Sequence, residues 1–306
     1  MTLETFDVAV VGHLCIDTIM LPSRTQPFRV LGGAATYTSF VAKHLCASPA
    51  VISKVGEDFP QAYLWWLQQE GININAVKIV PNEQSTSFQL QYSSDLAERI
   101  LTLKGETSQI TIEDLPSNFH SKAIHIAPIA GEVSYEIAEH LKSCTDVLSI
   151  DPQGLLRSFD DTGKVVAKDS ADKKILELIK VYKSSIGEIT LLTGQTELNR
   201  AIKEVHDLGV ETVIVTMGAK GALLSTQGTQ YNVPACQSEV LVDPTGAGDV
   251  FIGGFLTELI QKKEPFWCAC VGSAAASLVV EGLGPTYFGN SQDIYWRANK
   301  IFKKEN

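Results

Sequence analysis

Apolar residues recur along this chain in two rhythms. Short, nearly continuous apolar runs at residues 6–12, 50–55, 75–80, 123–127 and 146–150, and again at 212–216, have the length and β-branched content of buried strands. Between them lie segments of helical spacing at 34–46, 60–70, 132–143, 198–208 and 265–281, several closed by a glycine such as Gly71 or Gly282. A further helix is expected between a charged stretch at 160–174 and Ser185, and short strands at 222–225, 230–233 and 239–242. Strand and helix in alternation predict an α/β fold with parallel strands and crossover helices. Two stretches leave that rhythm. Residues 86–92 (Thr-Ser-Phe-Gln-Leu-Gln-Tyr) alternate apolar with polar and 99–104 continue extended, which predicts a half-exposed antiparallel pair. With residues 16–31, broken by Pro22 and Pro27, this pair forms either a small second sheet or an edge hairpin of the main one.

The most informative stretch is Asp243-Pro244-Thr245-Gly246-Ala247-Gly248-Asp249, after which Phe251, Phe255 and Leu259, with Ile252, Leu256 and Ile260, repeat every four residues. A glycine-rich turn therefore opens a long buried helix. The first N–H groups of a helix lack internal partners and sit at the positive end of its dipole, so bare glycines there admit an anion such as phosphate. A carboxylate at 249 would repel that anion unless chemistry or a metal compensates it. The plain alternative is that Thr245 caps the helix, Asp249 complements the dipole, and the glycines only make the turn.

Length and charge narrow the classes. A chain of 306 residues lies near the size at which one core stops growing, so one large domain with a smaller appendage is expected. Hydrophobic content of 44% and charged content of 20% are those of a soluble globule, and no apolar run reaches spanning length. The segment 1–7 is acidic and does not read as a signal peptide. A formal net charge of −10 argues against nucleic-acid or anionic-membrane partners, so any phosphate site must be local. Six scattered cysteines (15, 46, 144, 236, 268, 270) suit reduced thiols in a cytoplasm, and the six histidines show no zinc spacing. Gly12-His13-Leu14-Cys15 after the first strand lacks the further glycines of a dinucleotide fingerprint, which disfavours a nicotinamide-dependent dehydrogenase.

Asp-x-Thr-Gly-Ala-Gly-Asp followed by an aromatic residue and Gly253-Gly254 resembles the C-terminal signature of the ribokinase-like (PfkB) carbohydrate kinases. The resemblance extends over nearly the whole chain and implies one kinase domain over 1–306: a three-layer sandwich with a mostly parallel central sheet and a small β-sheet lid from about 16–31 and 85–104. It assigns Asp249 as catalytic base and the turn Gly246, Ala247, Gly248 as anion hole, with Asp17, Gly32 and Gly33 holding the acceptor hydroxyls. Ser53-Lys54-Val55-Gly56-Glu57-Asp58 resembles the family's strand-end Val-Gly-Asp-Asp, with Glu57 for one aspartate. In Ser185-Ile186-Gly187-Glu188 the family has Asn-x-x-Glu, so Glu188 would help hold magnesium while Ser185 stands where an asparagine faces the nucleotide phosphates. Thr216, Gly218 and Gly221 would border ATP, and Ser273 falls where the family carries an asparagine beside adenine. Asp243 and Thr245 match positions that line a monovalent cation site, potassium, in several relatives. Asp151 to Arg157 resembles a segment of some members, with Arg157 an acceptor or phosphate contact by that likeness and a surface ion pair by ordinary reckoning.

The reaction so implied is transfer of a phosphoryl group from ATP, with Mg2+, to an alcohol of a sugar, nucleoside or inositol-like polyol in the cytoplasm. Members with a sheet-like lid often pair through it, which makes a homodimer one expectation. Ser185 and Ser273 keep a second reading open, a weak or inactive binding protein of the same fold.

Overall fold

The computed structural model describes residues 3–96, 98–168 and 172–305. Ala97, within the expected lid segment, and residues 169–171 of the charged stretch lie outside the described residues, as do the two ends of the chain.

Among the described residues fifteen strands and eight α-helices follow in the order β1 (Glu4–Val11), β2 (Cys15–Met20), β3 (Phe28–Gly32), α1 (Ala34–His44), β4 (Pro49–Gly56), α2 (Gln61–Gln69), β5 (Asn73–Val80), β6 (Ser87–Tyr92) and β7 (Arg99–Gly105). Then come β8 (Phe119–Ile126), α3 (Tyr135–Lys142), β9 (Thr145–Ile150), β10 (Arg157–Phe159), β11 (Val165–Ala167), β12 (Val181–Ser185), α4 (Ile186–Thr193), α5 (Leu198–Asp207) and β13 (Thr212–Thr216). The chain ends with β14 (Ala222–Thr226), β15 (Thr229–Val233), α6 (Ala247–Leu259), α7 (Pro265–Val279) and α8 (Ser291–Glu305).

Nine strands form one sheet in the order β15-β14-β13-β12-β9-β8-β1-β4-β5, parallel from β13 to β5 and antiparallel only at the β14–β15 edge. Both faces are covered. Val8 and Val10 of β1 belong to a core shared with Phe40 of α1, Phe255 of α6 and Val271 of α7. Ala9 and Val11, pointing the other way, belong to a second core with Ile137 of α3, Ile189 of α4 and Ile202 of α5. A strand buried on both sides must be apolar throughout, and this is why the run at 6–12 shows no alternation. The chain starts in the middle of the sheet at β1 and then winds outward to either side, so strand order reverses there, and crevices of this kind at strand C-termini take ligands.

The second sheet has the order β3-β2-β6-β7, with β2–β3 and β6–β7 antiparallel and β2–β6 parallel. The alternating segment is thus not an edge hairpin of the main sheet. Phe88 and Leu90 are buried while Gln91 is exposed, as the pattern requires. The hairpin β10–β11 is attached to its outer strand through a bridge between Thr102 and Lys164.

Two expectations need correction, and one element was not foreseen. The segment before Ser185 is a 3-10 turn (Lys174–Leu178) and then β12, because Ile175, Leu178, Val181 and Tyr182 are buried too densely for a one-sided helix. Residues 239–242 are not a strand: the Val242 and Asp243 amides donate to Val280 O, and the Glu239 amide to the Glu281 carboxylate, so the segment is bound to the end of α7 and not to a ladder. Residues 291–305, for which no element is predicted above, form α8, which buries Ile294 and Ala298 and pairs Arg297 with Glu281 at 2.8 Å. Among the described residues no helix is long and apolar enough to cross a membrane.

Candidate active site

Gly246, at φ +78°, is the N-cap of α6 and supplies no side chain to it. A Cβ there would lie 2.2 Å from the Tyr37 ring, so the turn needs glycine both for its backbone and for the aromatic wall beneath it. Thr245 is not the cap. Its hydroxyl donates to Asp243 Oδ1 at 2.5 Å and lies 2.8 Å from the Tyr92 hydroxyl, which ties the glycine turn to the small sheet. Asp243 is buried and accepts in addition from the amides of Thr245 and Gly284, at 2.9 Å each. Close packing fixes the helix behind the turn: a Cβ on Gly253 would meet Val41 of α1 at 2.4 Å, and one on Gly254 would meet Gly272 of α7 at 3.2 Å.

Asp17, on β2, is brought against Gly32 and Gly33, the residues the resemblance groups with it. A Cβ on Gly32 would fall 2.1 Å from Asp17 Oδ2, and Gly33, at φ +91°, lies over His13 O. Asp17 and Asp249 share one cavity of about 50 Å³ with Cys15, Tyr37, Phe88, Arg99, Gln153 and Arg157. The Cys15 thiol donates to Asp17 Oδ1 at 3.1 Å. The Tyr37 hydroxyl is buried with no hydrogen-bond partner among the described residues, although Asp17, Asp243 and Asp249 all bear on it. Arg157 is not a surface ion pair. It is half-buried, donates to Ile129 O at 2.8 Å and Gln153 Oε1 at 2.6 Å, and among the described residues has no carboxylate in salt-bridge range.

Asp249 stands in the first turn of α6, where Gln153 Nε2 approaches Oδ1 at 3.5 Å. Burial pushes its carboxyl up to about 6, against the opposing pull of Lys183 and then of Arg99 and Arg157. Burial likewise lifts Asp17 to about 6. Lys183, on β12, is buried and forms an ion pair of 2.5 Å with Asp151, also buried, just beyond β9. Burial alone would lower its ammonium, but Asp151 and then Asp249 hold it above its ordinary value. A Cβ on Gly248 would lie 2.7 Å from Lys183 Nζ.

Ser185 and Thr216 end adjacent parallel strands and face each other in register. Ser185 is the N-cap of α4 in a capping box: its amide and hydroxyl each donate to Glu188 Oε2 at 2.7 Å, and the Glu188 amide returns a bond to the hydroxyl. Thr216 donates to Ser184 O at 3.2 Å, and Gly218 opens the following turn. Gly221 and Ser273 meet around the loop after β15. A Cβ on Gly221 would strike Val233 O at 2.1 Å, while Ser273 donates to Pro234 O at 2.8 Å and accepts from the Cys236 amide at 3.0 Å. Its hydroxyl therefore anchors the loop. Among the described residues no three His, Cys, Asp or Glu side chains form a metal cage. Magnesium needs none, since it commonly takes one or two carboxylates with substrate phosphates and water; Glu188, half-buried with one oxygen fixed by the cap, fits that part.

Tyr37, Arg99 and Gln153 line the cavity, and Asp151 and Lys183 adjoin the turn at Gly248, none of them selected by the sequence reading. Of these only Asp151 carried a signal, its place just past the expected strand at 146–150; Lys183 lies in a stretch read above as a helix.

Residues 5–292 match the model of the pfkB family carbohydrate kinases. The chain is 26% identical over 281 residues to a cytidine kinase of Thermococcus kodakarensis, covering 91% of this chain and 97% of that one. It is 30% identical over 303 residues to an inositol 3-kinase of Oryza sativa, covering 93% and 71%. Among solved structures it is similar to a pyrophosphate-dependent kinase of the ribokinase family in a sulfate complex, with TM-score 0.81, 22% identity, and coverage of 94% and 99%. The nucleoside kinase of Methanocaldococcus jannaschii superposes with TM-score 0.75 at 24% identity, covering 97% and 99%.

Proposed function

The chain belongs to the pfkB family of carbohydrate kinases, and from that footing we propose that it transfers the γ-phosphoryl group of ATP to one hydroxyl of a compact polyhydroxylated acceptor, a monosaccharide or cyclic polyol. The observation that carries this reading is the single cavity in which Asp17, Asp249 and the unpartnered Tyr37 hydroxyl converge at the mouth of α6. A ligand rich in hydroxyls matches that lining: it can donate to two carboxylates and satisfy the buried phenol. The acceptor oxygen attacks the γ-phosphorus, the bond to the β–γ bridging oxygen breaks, ADP departs, and the hydroxyl proton passes to Asp249. The α6 mouth stabilises the negative charge of the moving group, and the two strand-end turns at Ser185 and Thr216–Gly221 bear the donor. Glu188 would hold a magnesium ion in part, and that ion would supply charge neutralisation on the donor phosphates. The small sheet acts as the lid that excludes water, which would otherwise take the phosphoryl group.

Asp243 supports a potassium site beside the turn. It is a buried carboxylate satisfied by neutral donors, with no cation in salt-bridge range among the described residues, and a charge so placed gains from a counter-ion. A compact acceptor is favoured over a nucleoside because Arg157, 5.9 Å from the ring centroid, already occupies the face of Phe88 on which a base would stack. The nucleoside reading keeps the support of the cytidine kinase relative.

ADP release with inositols, pentoses, hexoses and nucleosides as acceptors, in potassium and in tetramethylammonium salts, tests the assignment. Asp249→Asn is expected to lower kcat by roughly 10²- to 10⁴-fold while nucleotide still binds. Undiminished turnover in that variant would refute Asp249 as the base, and equal rates in the two salts would refute the potassium site.

A further inference from the structure

A lysine in the middle of a buried parallel strand is costly, and β12 has one. Lys183 is flanked by Tyr182 and Ser184, all three buried, and its ammonium reaches under the first turn of α6. Two positive features, the ammonium and the helix N-terminus, are thereby placed side by side. Fold stability does not account for this arrangement, because an apolar pair of similar size generally holds a core as well as a buried ion pair does. Position 248 carries the second observation. Any side chain there would lie 2.7 Å from Lys183 Nζ, so the bare glycine makes room for the ammonium as well as for an anion.

We propose that Lys183 is a positioning residue for the reaction: it is the charge that keeps Asp249 competent as a base, and Asp151 is the counter-charge that fixes where Lys183 stands. This rests on the reading of Asp249 given above. Lys183 is the foremost cation acting on Asp249, and Asp151 the foremost acid. The other charged groups around the carboxylate are Arg99 from β7 and Arg157 from β10, with the Tyr37 phenol from α1, and Asp17 from β2 lining the same cavity. Lys183 itself is faced by His125 from β8 and by Glu188 from α4. His125 is buried and held neutral, its pKa lowered to about 3 by burial and then by Lys183, so it adds no competing charge above that pH.

Lys183 favours the ionised form of Asp249 and Asp151 disfavours it, so removing each must move the acid limb of the pH profile in opposite directions. A purely structural pair would move both variants alike. In Lys183→Met the limb of kcat/KM, which reports the free enzyme, is expected to shift upward by about one pH unit or more. In Asp151→Asn it is expected to shift downward, and Lys183→Arg should leave it nearly in place. Because a single variant strands a buried charge and can fail to fold, the double variant Lys183→Met/Asp151→Asn is measured as well; its limb is expected between that of the wild type and that of Lys183→Met. Carboxyl carbon-13 NMR titration of the resonance lost in Asp249→Asn reads the same shift without turnover and separates Asp249 from Asp17. Shifts of one sign in both single variants, or limbs and resonances that coincide with wild type, overturn the proposal. Full activity in Asp249→Asn would instead remove the reading it rests on.

Discussion

At the scale of single residues, the site holds groups that the fold would be more stable without. Tyr37 buries a hydroxyl with no partner, which costs roughly 1–3 kcal/mol. Tyr37→Phe should therefore leave the melting temperature unchanged or raise it, while raising the KM of the acceptor by about 2- to 10-fold through loss of one hydrogen bond; paired melting curves and acceptor titrations read the two effects. Asp17 makes the same point through pH. Its folded pKa, lifted to about 6 by burial, exceeds the 3.8 of an ordinary aspartate, so the native state favours the protonated form and loses that stabilisation as pH rises through 6. Asp17→Asn should raise the melting temperature relative to wild type at pH 8 and change it little at pH 4, and a gain of the same size at both would contradict the burial argument. These residues differ in how far they could be read. A role for Asp249 came only with the resemblance, while the glycine turn and the helix it opens were legible from spacing alone. Tyr37 and Gln153 were not, because only the approach of α1 and of the turn after β9 gives them a role.

At the scale of elements, α6 is the rigid member. Its glycines let α1 and α7 come close on two sides, and the same closeness leaves no slack at its mouth. A Cβ on Gly272 would meet Phe251 O at 2.5 Å, so Gly272→Val should cost about 1–3 kcal/mol and lower kcat by tilting the mouth, measured by urea unfolding alongside kinetics. Periodicity disclosed this helix and the parallel strands well. It failed at β12, where Lys183 and the serines hide a strand buried on both faces, and at 239–242, where apolar residues serve the end of α7. The Ser185–Glu188 pair shows a further limit. The pattern Ser-x-x-Glu is both a helix cap and the place where the family's metal-binding glutamate falls, and the structure makes the cap plain.

At the scale of the whole molecule, a nine-stranded scaffold carries the chemistry along the C-terminal ends of its strands, and a four-stranded sheet stands over one end of that row. A cavity of about 50 Å³ is far below the roughly 300 Å³ and upward of ordinary ligand pockets, so a sugar-sized acceptor cannot enter without movement of the covering sheet or of the arginine side chains. Hydrogen exchange of β6 and β7 amides is expected to slow severalfold on adding acceptor, with β1 and β8 unchanged. Equal protection in both sheets, with or without acceptor, would show that the cover does not open. The α/β architecture was legible from rhythm, and the second sheet from its change of rhythm; the way the two meet was not, since it rests on side-chain contacts between segments distant in sequence, such as Thr86 with His13 and Tyr92 with Thr245.

One of those contacts, between the phenol of Tyr92 and the hydroxyl of Thr245, joins the roof to the doorstep. Swinging the roof away takes from Thr245 its companion two residues before the first helical amide, so the phosphate seat loses part of its brace whenever the chamber is open to solvent. On the proposed reaction, idle hydrolysis would then be discouraged twice, once by the wall and once by a seat fully braced only when the wall is in place.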